Sequence, residues 1–399
     1  MPLGTLRRGR SALAARQILC HNRGPAPIVP ERTEMPEARN PAAGSLWAEA
    51  FTAGKDPQRP ERNEDQFLIL PGRAYAVIDG VTSIGAPAPG GLTTGRLGGL
   101  LVRRAVAEIV DDPFRGPPSP EALLAGITDR IAAIYRVHGL VERLAHAPKE
   151  RFAATLALAL VDGERLVIVL AGDSGARLNG REVHLQEPLM DRVLAWLRVE
   201  TLHRLEARGL ERRAAAALAR EVTLHGLEAA GAALEARLGA GGGVALRDAV
   251  AARAAAELPE VPADEVVALL RGGIADGQAL LQNRDDRALG YAVLDGFPVG
   301  MRWVKVVERP LQEVHTLELF SDGYFKLPVR PRLADWEAAA DEVERLDPLK
   351  IGRYASTKGS LDGKRTDDRT VVIVTRDGRP TPPIAPGLRR SADRPRPGR

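Results

Sequence analysis

Ala74-Tyr75-Ala76-Val77-Ile78-Asp79-Gly80 is an apolar, β-like run that stops on a carboxylate. Leu317-Glu318-Leu319-Phe320-Ser321-Asp322-Gly323 repeats the pattern, with one residue between the end of the run and the acid. Two more acidic groups, Asn63-Glu64-Asp65 and Thr366-Asp367-Asp368-Arg369-Thr370, stand just ahead of the apolar runs 66–70 and 370–374. A strand buried between layers cannot end in an unpaired carboxylate without a large desolvation cost. Several such ends meeting at one point make a cluster of anions that metal cations neutralise. Hard oxygen donors of this kind suit Mg²⁺ or Mn²⁺. The chain reads as a metal-dependent enzyme.

Composition narrows the setting. At 399 residues with 44% hydrophobic content, the chain is long enough for one large domain or two ordinary ones, each with a real core. A single cysteine, Cys20, excludes a disulfide framework and thiolate metal sites, and points to a reducing, cytoplasmic compartment. No apolar stretch reaches the roughly 18 residues of a membrane span. The net charge of +4 hides an asymmetry. Residues 1–34 hold six Arg against two Glu, and residues 376–399 hold seven Arg against two Asp, so the body between them is acidic by five charges. Basic character in the tails alone gives no support to a nucleic-acid-binding fold.

Along the chain, residues 1–43 read as a disordered basic leader, or as sequence upstream of a start at Met35, rather than as an organelle transit peptide. Residues 44–376 read as the catalytic body, and 377–399 as a Pro/Arg-rich disordered tail. Strands are expected at 46–52, 66–70, 73–78, 290–294, 302–308, 315–320 and 370–375. Two hairpins turn at Asp162-Gly163 (152–161 with 165–171) and at Asn179-Gly180 (176–178 with 182–185). Helices are expected at 93–110, at 119–144 after the Ser119-Pro120-Glu121 start, and at 333–346. Residues 188–283 differ in kind: they are Ala/Leu/Arg/Glu-rich and helical, interrupted at 239–243 and by Pro259 and Pro262. The Leu/Ala spacing over 192–238 reads as a solvent-facing helical hairpin. Two antiparallel sheets with helices outside them fit this order better than βαβ units do.

Asn63-Glu64-Asp65, Asp79-Gly80, Gly172-Asp173-Ser174, Ser321-Asp322-Gly323 and Asp367-Asp368-Arg369-Thr370 follow one another in that order. The series resembles the type 2C metal-dependent protein serine/threonine phosphatases, over about residues 46–376 apart from the helical region. The resemblance implies an α+β fold, a four-layer α-β-β-α sandwich of two antiparallel sheets flanked by helices, here with a helical insertion. It also implies a two-ion Mg²⁺ or Mn²⁺ centre at one end of the sheets. By motif position, Asp79 would bridge both ions and Gly80 would offer its carbonyl. Asp322 and Asp367 would hold the first ion and Glu64 the second, while Asp65 would orient metal-bound water. Asp173 matches the residue that some members use for a third, weaker ion. Motif register favours Asp367 over Asp368.

Three departures from the family pattern stand out. The run Asp79-Gly80-Val81-Thr82-Ser83 lacks the His that many members carry there to protonate the leaving alcohol. The phosphate-binding Arg expected four residues before the Glu is replaced by Pro60, flanked by Arg59 and Arg62. Either could make a bidentate contact to phosphate, and Arg59 lies nearer the usual register. The small flap after Gly172-Asp173-Ser174 is replaced or enlarged by the helices of 188–283, a candidate surface for a partner protein or a lid. The histidines show no metal-ligand spacing. No Cys-x5-Arg loop and no Asp-x-Asp-x-Thr motif is present, which excludes the usual cysteine and aspartyl-phosphate phosphatase mechanisms. The resemblance implies hydrolysis of phosphoserine and phosphothreonine on proteins by a metal-activated water. The alternatives are a catalytically weak regulatory or binding module of the same fold, or a phosphatase of small phosphorylated metabolites.

Overall fold

A computed structural model describes residues 46–81, 84, 88–112, 116–360 and 364–376. The expected leader and tail, Cys20, Met35, Thr82 and Ser83 lie outside the described residues. The strands are β1 (Leu46–Ala53), β2 (Gln66–Leu70), β3 (Ala74–Gly80), β4 (Ala154–Asp162), β5 (Arg165–Ala171), β6 (Gly175–Leu178), β7 (Glu182–His184), β8 (Val304–Pro310), β9 (Thr316–Phe320) and β10 (Arg369–Arg376). They form two five-stranded sheets, ordered β1-β10-β9-β6-β7 and β2-β3-β4-β5-β8, with neighbouring strands antiparallel throughout. The helices are α1 (Thr94–Val110), α2 (Pro120–Val137), α3 (Val141–His146), α4 (Leu189–Ala207), α5 (Arg212–Ala229), α6 (Gly231–Leu238), α7 (Gly242–Glu257), α8 (Ala263–Gly272) and α9 (Leu333–Leu346).

Side chains alternate across each strand, and the alternation builds the layers. Tyr75, Val77, Ala157, Ile168, Leu317, Leu319, Val372 and Val374 pack together between the sheets. Their neighbours Ala74, Ala76, Ile78, Leu156, Leu158 and Val169 face outward onto Val102, Val106, Ile127 and Ile131 of α1 and α2. On the other flank, Phe320, Val371 and Ile373 meet Trp336 of α9. The expected four-layer α+β sandwich is the observed architecture.

Where structure and expectation differ, the causes are local. The helix expected over 119–144 is two helices. It starts as expected, with Ser119 Oγ accepting from Ala122 N–H at 3.3 Å. It then ends at Val137, because Gly139 takes φ +64° and Leu140 N–H closes back on the Tyr135 carbonyl at 2.8 Å. The strand expected at 290–294 is only a pair of isolated bridges, Ala154↔Leu294 and Gln282↔Tyr291. β4 is already paired on both edges from Leu156 onward, so Leu294 reaches only Ala154, beyond the end of β5.

The solvent-facing helical hairpin expected over 192–238 does not form. α4 buries ten residues, among them Leu194, Leu197, Leu202 and Leu205. These pack with Ala215, Ala219 and Val222 of α5, Leu246 and Val250 of α7, and Leu269 of α8 in one cluster. The inserted helices thus carry an apolar core of their own.

Candidate metal centre

Strand register brings the acids to one end of both sheets. Gln66 pairs with Ile78, so Asp65 stands opposite Asp79. Val371 pairs with Phe320, so the residues before β10 stand beside those after β9. Alternation along β3 from Tyr75 and Val77 puts Asp79 on the inter-sheet face. Gly172-Asp173-Ser174 joins β5 to β6 and crosses between the sheets at this same end, since Ala171 pairs with Leu156 and Gly175 with Phe320.

Hydrogen bonds tie the ends together. Ser321 Oγ donates to Asp65 Oδ2 at 2.8 Å and accepts from Thr370 N–H at 2.9 Å, so one hydroxyl stitches the two sheets. Asp368 is committed to the backbone: its two oxygens accept the amides of Lys55 (2.7 Å) and Glu64 (3.0 Å). Asp367 turns instead toward Lys358 and Lys55. Gly80 has a packing reason to lack a side chain. A Cβ there would lie 2.4 Å from the Gly95 carbonyl oxygen, so α1 could not approach β3 so closely.

The electrostatics are those of crowded, desolvated anions. Burial and then the neighbouring Asp368 push the Asp65 carboxyl up to about 7. Burial, then Asp65, Asp322 and Asp173, hold the Asp79 carboxyl well above the usual range. Asp173 is raised by burial, then Asp322 and Asp191, and Asp191 at the start of α4 is raised by burial and Asp322 to about 7. Burial also acts to raise Asp367, but Lys358 and Lys55 outweigh it and the carboxyl lies below its ordinary value.

The donor set fits a hard divalent cation in kind. It is all carboxylate, and Asp65 Oδ1, Asp173 Oδ1 and Asp322 Oδ1 are buried without a hydrogen-bond partner. It is not drawn into ligand geometry: among the described residues no three His, Cys, Asp or Glu side chains stand around a common point as ligands of one ion. Two lysines stand among the acids instead. Lys55 Nζ lies 3.3 Å from Glu64 Oε2, 3.4 Å from Asp367 Oδ1 and 3.4 Å from Asp368 Oδ2, and Lys358 pairs with the other oxygen of Asp367. An ammonium donates to the same oxygens that a metal ion would bind.

Above the acids lies a cleft of about 540 Å³. Asp79, Gly80, Asp173, Asp191 and Asp322 line it, together with Lys55 and Lys358, whereas Glu64, Asp65 and Asp367 lie behind that surface. Arg59 and Arg62 line it from the β1–β2 connection, both exposed, and neither is ion-paired among the described residues. Met190, Arg220 and Thr223 of the inserted helices line it too, so the insertion forms one side of the cleft. Sequence reasoning missed Lys55, Lys358 and Asp191. The lysines carry no spacing signal, and Asp191 reads as an ordinary first-turn helix acid.

Among solved structures, the chain is similar to the Mycobacterium tuberculosis serine/threonine phosphatase PstP/Ppp at 18% identity, covering 83% of this chain and 98% of that one, with a TM-score of 0.37. It is similar to the serine/threonine phosphatase Stp1 from Staphylococcus aureus at 15% identity, covering 85% and 98%, with a TM-score of 0.39. It is also similar to PppA, a regulatory component of T6SS in Pseudomonas aeruginosa, at 14% identity, covering 83% and 97%, with a TM-score of 0.37. No family model and no curated protein matches the chain. Likeness of this size leaves the chemistry to be read from the site's own residues.

Proposed function

We propose that the chain is a divalent-metal-dependent phosphatase that hydrolyses phosphoserine and phosphothreonine on proteins. One observation carries this reading. Segments remote in sequence deliver Asp65, Asp79, Asp173, Asp322 and Asp367 to one end of two sheets, and three of the carboxylate oxygens there are buried without partners. Burying unpaired anions costs several kcal/mol each. A fold keeps such a cluster where a cation repays the cost. Two Mg²⁺ or Mn²⁺ ions bound here would activate a water and neutralise the phosphoryl oxygens.

The chain's own residues divide the work by position. Asp79 stands opposite Asp65 across β2 and β3 and lines the cleft together with Gly80 and Asp322, and it would be the carboxylate that two ions share, with the Gly80 carbonyl next to it. Asp322 and Asp367 would hold one ion and Glu64 the other, while Asp173, with Asp191 close by, would serve a weaker third. Asp65 is held by the Ser321 hydroxyl, which would fix the direction in which its other oxygen orients a bound water. Arg59 or Arg62 binds the phosphate at the rim. No His follows Gly80, so the proton for the leaving alcohol comes from solvent or from bound water. Lys55 and Lys358 neutralise part of the cluster internally, and that observation favours the second reading, a phosphatase-like module of weak turnover.

A phosphothreonine peptide assayed with Mn²⁺ tests the substrate class and the rim together. The chain should release phosphate, and Arg59→Ala should raise KM about tenfold with a smaller fall in kcat. A guanidinium on non-bridging oxygens binds the ground state and the transition state alike. Arg62→Ala is the control, and a larger effect there would assign the contact to Arg62. Release from an aryl phosphate but from no phosphopeptide would overturn the protein-substrate reading.

A further inference from the structure

Lys358 sits in the 348–360 connection between α9 and β10, a stretch of turns that is nonetheless firmly held. The Asp347 carboxylate accepts the amides of Ile351 (3.0 Å), Gly352 (3.0 Å) and Tyr354 (3.1 Å). Lys350 is fully buried and donates to Glu344 Oε2 and to the Asp347 carbonyl, both at 2.9 Å. The third hold comes from the inserted helices. Arg198 of α4 is 2% exposed, and its guanidinium donates to the carbonyls of Leu349 (2.7 Å), Lys350 (3.1 Å) and Ser356 (3.1 Å). Gly359, next to Lys358, is seated directly against that guanidinium. A Cβ on it would lie 2.2 Å from Arg198 Nη2 and 2.4 Å from the Leu349 carbonyl oxygen.

We propose that Lys358 is a built-in counter-cation that holds the place of a divalent ion beside Asp322 and Asp367, and that Arg198 of the inserted helices sets how firmly it is held there. The inference rests on the metal reading of the site. Lys55 already lies 3.4 Å from Asp367, so Lys358 is a second cation on one carboxylate, more than a structural ion pair needs. A protonated ammonium has no lone pair to offer a metal, so it and the ion exclude one another. Its four-carbon stem lets it swing away without moving the backbone. Metal affinity is then lowered by the fraction of molecules whose site is free of the lysine. With Lys358 seated in about nine molecules of ten, the apparent Kd is about tenfold weaker than that of the open site. Because Arg198 belongs to α4, a ligand that shifts the inserted helices would change metal affinity at the sheets' end.

Calorimetric titration of the metal-free full chain with Mn²⁺ tests this directly. Lys358→Met keeps the stem and removes the charge, and should tighten Mn²⁺ binding about tenfold. In chelator its unfolding midpoint should fall, because the carboxylates lose a counter-cation, and added Mn²⁺ should restore it. Gly359→Ala leaves Lys358 intact but pushes its loop off Arg198, and should tighten binding in the same direction by less; it decides the matter if Lys358→Met does not fold by circular dichroism. Unchanged or weaker Mn²⁺ binding in the folded variants would overturn the counter-cation while leaving the metal site standing. Weaker binding of phosphate alone in Lys358→Met, with Mn²⁺ affinity unchanged, would make Lys358 a substrate contact instead. No Mn²⁺ bound by the wild-type chain or either variant would remove the metal site itself, and this inference with it.

Discussion

Asp79→Asn is expected to lower kcat for phosphate release at saturating Mn²⁺ by a factor on the order of a thousand or more, and to leave the protein folded. Changes to groups that merely orient metal ligands cost about 10–100-fold. A carboxylate shared by two ions carries more, since its loss disturbs both ions and the water between them. Asn keeps the shape and one acceptor oxygen but removes the charge. Stability should not fall with activity. The Asp79 carboxyl is held well above the usual range by burial and by Asp65, Asp322 and Asp173, so its ionised form is repelled in the metal-free fold. In chelator, the unfolding midpoint of Asp79→Asn should equal or exceed that of the wild type. Wild-type kcat in this variant would remove Asp79 from the centre. A collapse of the midpoint would make it a structural residue.

Arg177→Met should be the most damaging change to stability, by about 3–5 kcal/mol, the usual cost of stripping one partner from a buried ion pair. Arg177 of β6 and Glu318 of β9 are cross-strand partners, and both side chains are fully buried. Arg177 Nε donates to Glu318 Oε1 at 2.7 Å, its second guanidinium nitrogen pairs with Glu318 Oε2, and its third donates to the Pro328 carbonyl at 2.6 Å. Trp336 Nε1 adds a bond to Glu318 Oε2 at 2.9 Å, which ties α9 to the sheet. Without Arg177 the carboxylate keeps only the indole N–H. Urea unfolding of Arg177→Met should show the loss, and Arg177→Met with Glu318→Leu should recover part of it, because no lone buried charge remains. A midpoint within error of the wild type would show that water reaches Glu318.

The strands were legible because their evidence is local. Short apolar runs, stopped by Asp-Gly or preceded by acids, specify both the element and the end at which the acid stands; Ala74–Gly80 contains its own reading. Antiparallel pairing then brings those ends together, so the cluster of acids could be read before any contact was known. Long cationic side chains are different. Lys55 and Lys358 reach the acids from loops, and where a four-carbon stem ends is decided by tertiary packing that no spacing records. The inserted helices misled for a related reason. α4 is wrapped by α5, α7 and α8, and it buries Arg198 among carbonyls of the 348–360 connection, so its polar residues do not mark a solvent face. Gly139 interrupts a helix whose apolar period continues past it through Leu140 and Leu144, and only its positive φ reveals the break.

Metal dependence of turnover on a generic aryl phosphate tests the central claim most directly. The chain should be inactive in excess chelator, regain activity with Mn²⁺ or Mg²⁺, and fail to regain it with Ca²⁺, whose bonds of 2.3–2.6 Å suit a compact two-ion centre poorly. Full turnover in excess chelator would contradict the account, because the acids at the sheets' end would then be doing their chemistry without the cations proposed to hold them together.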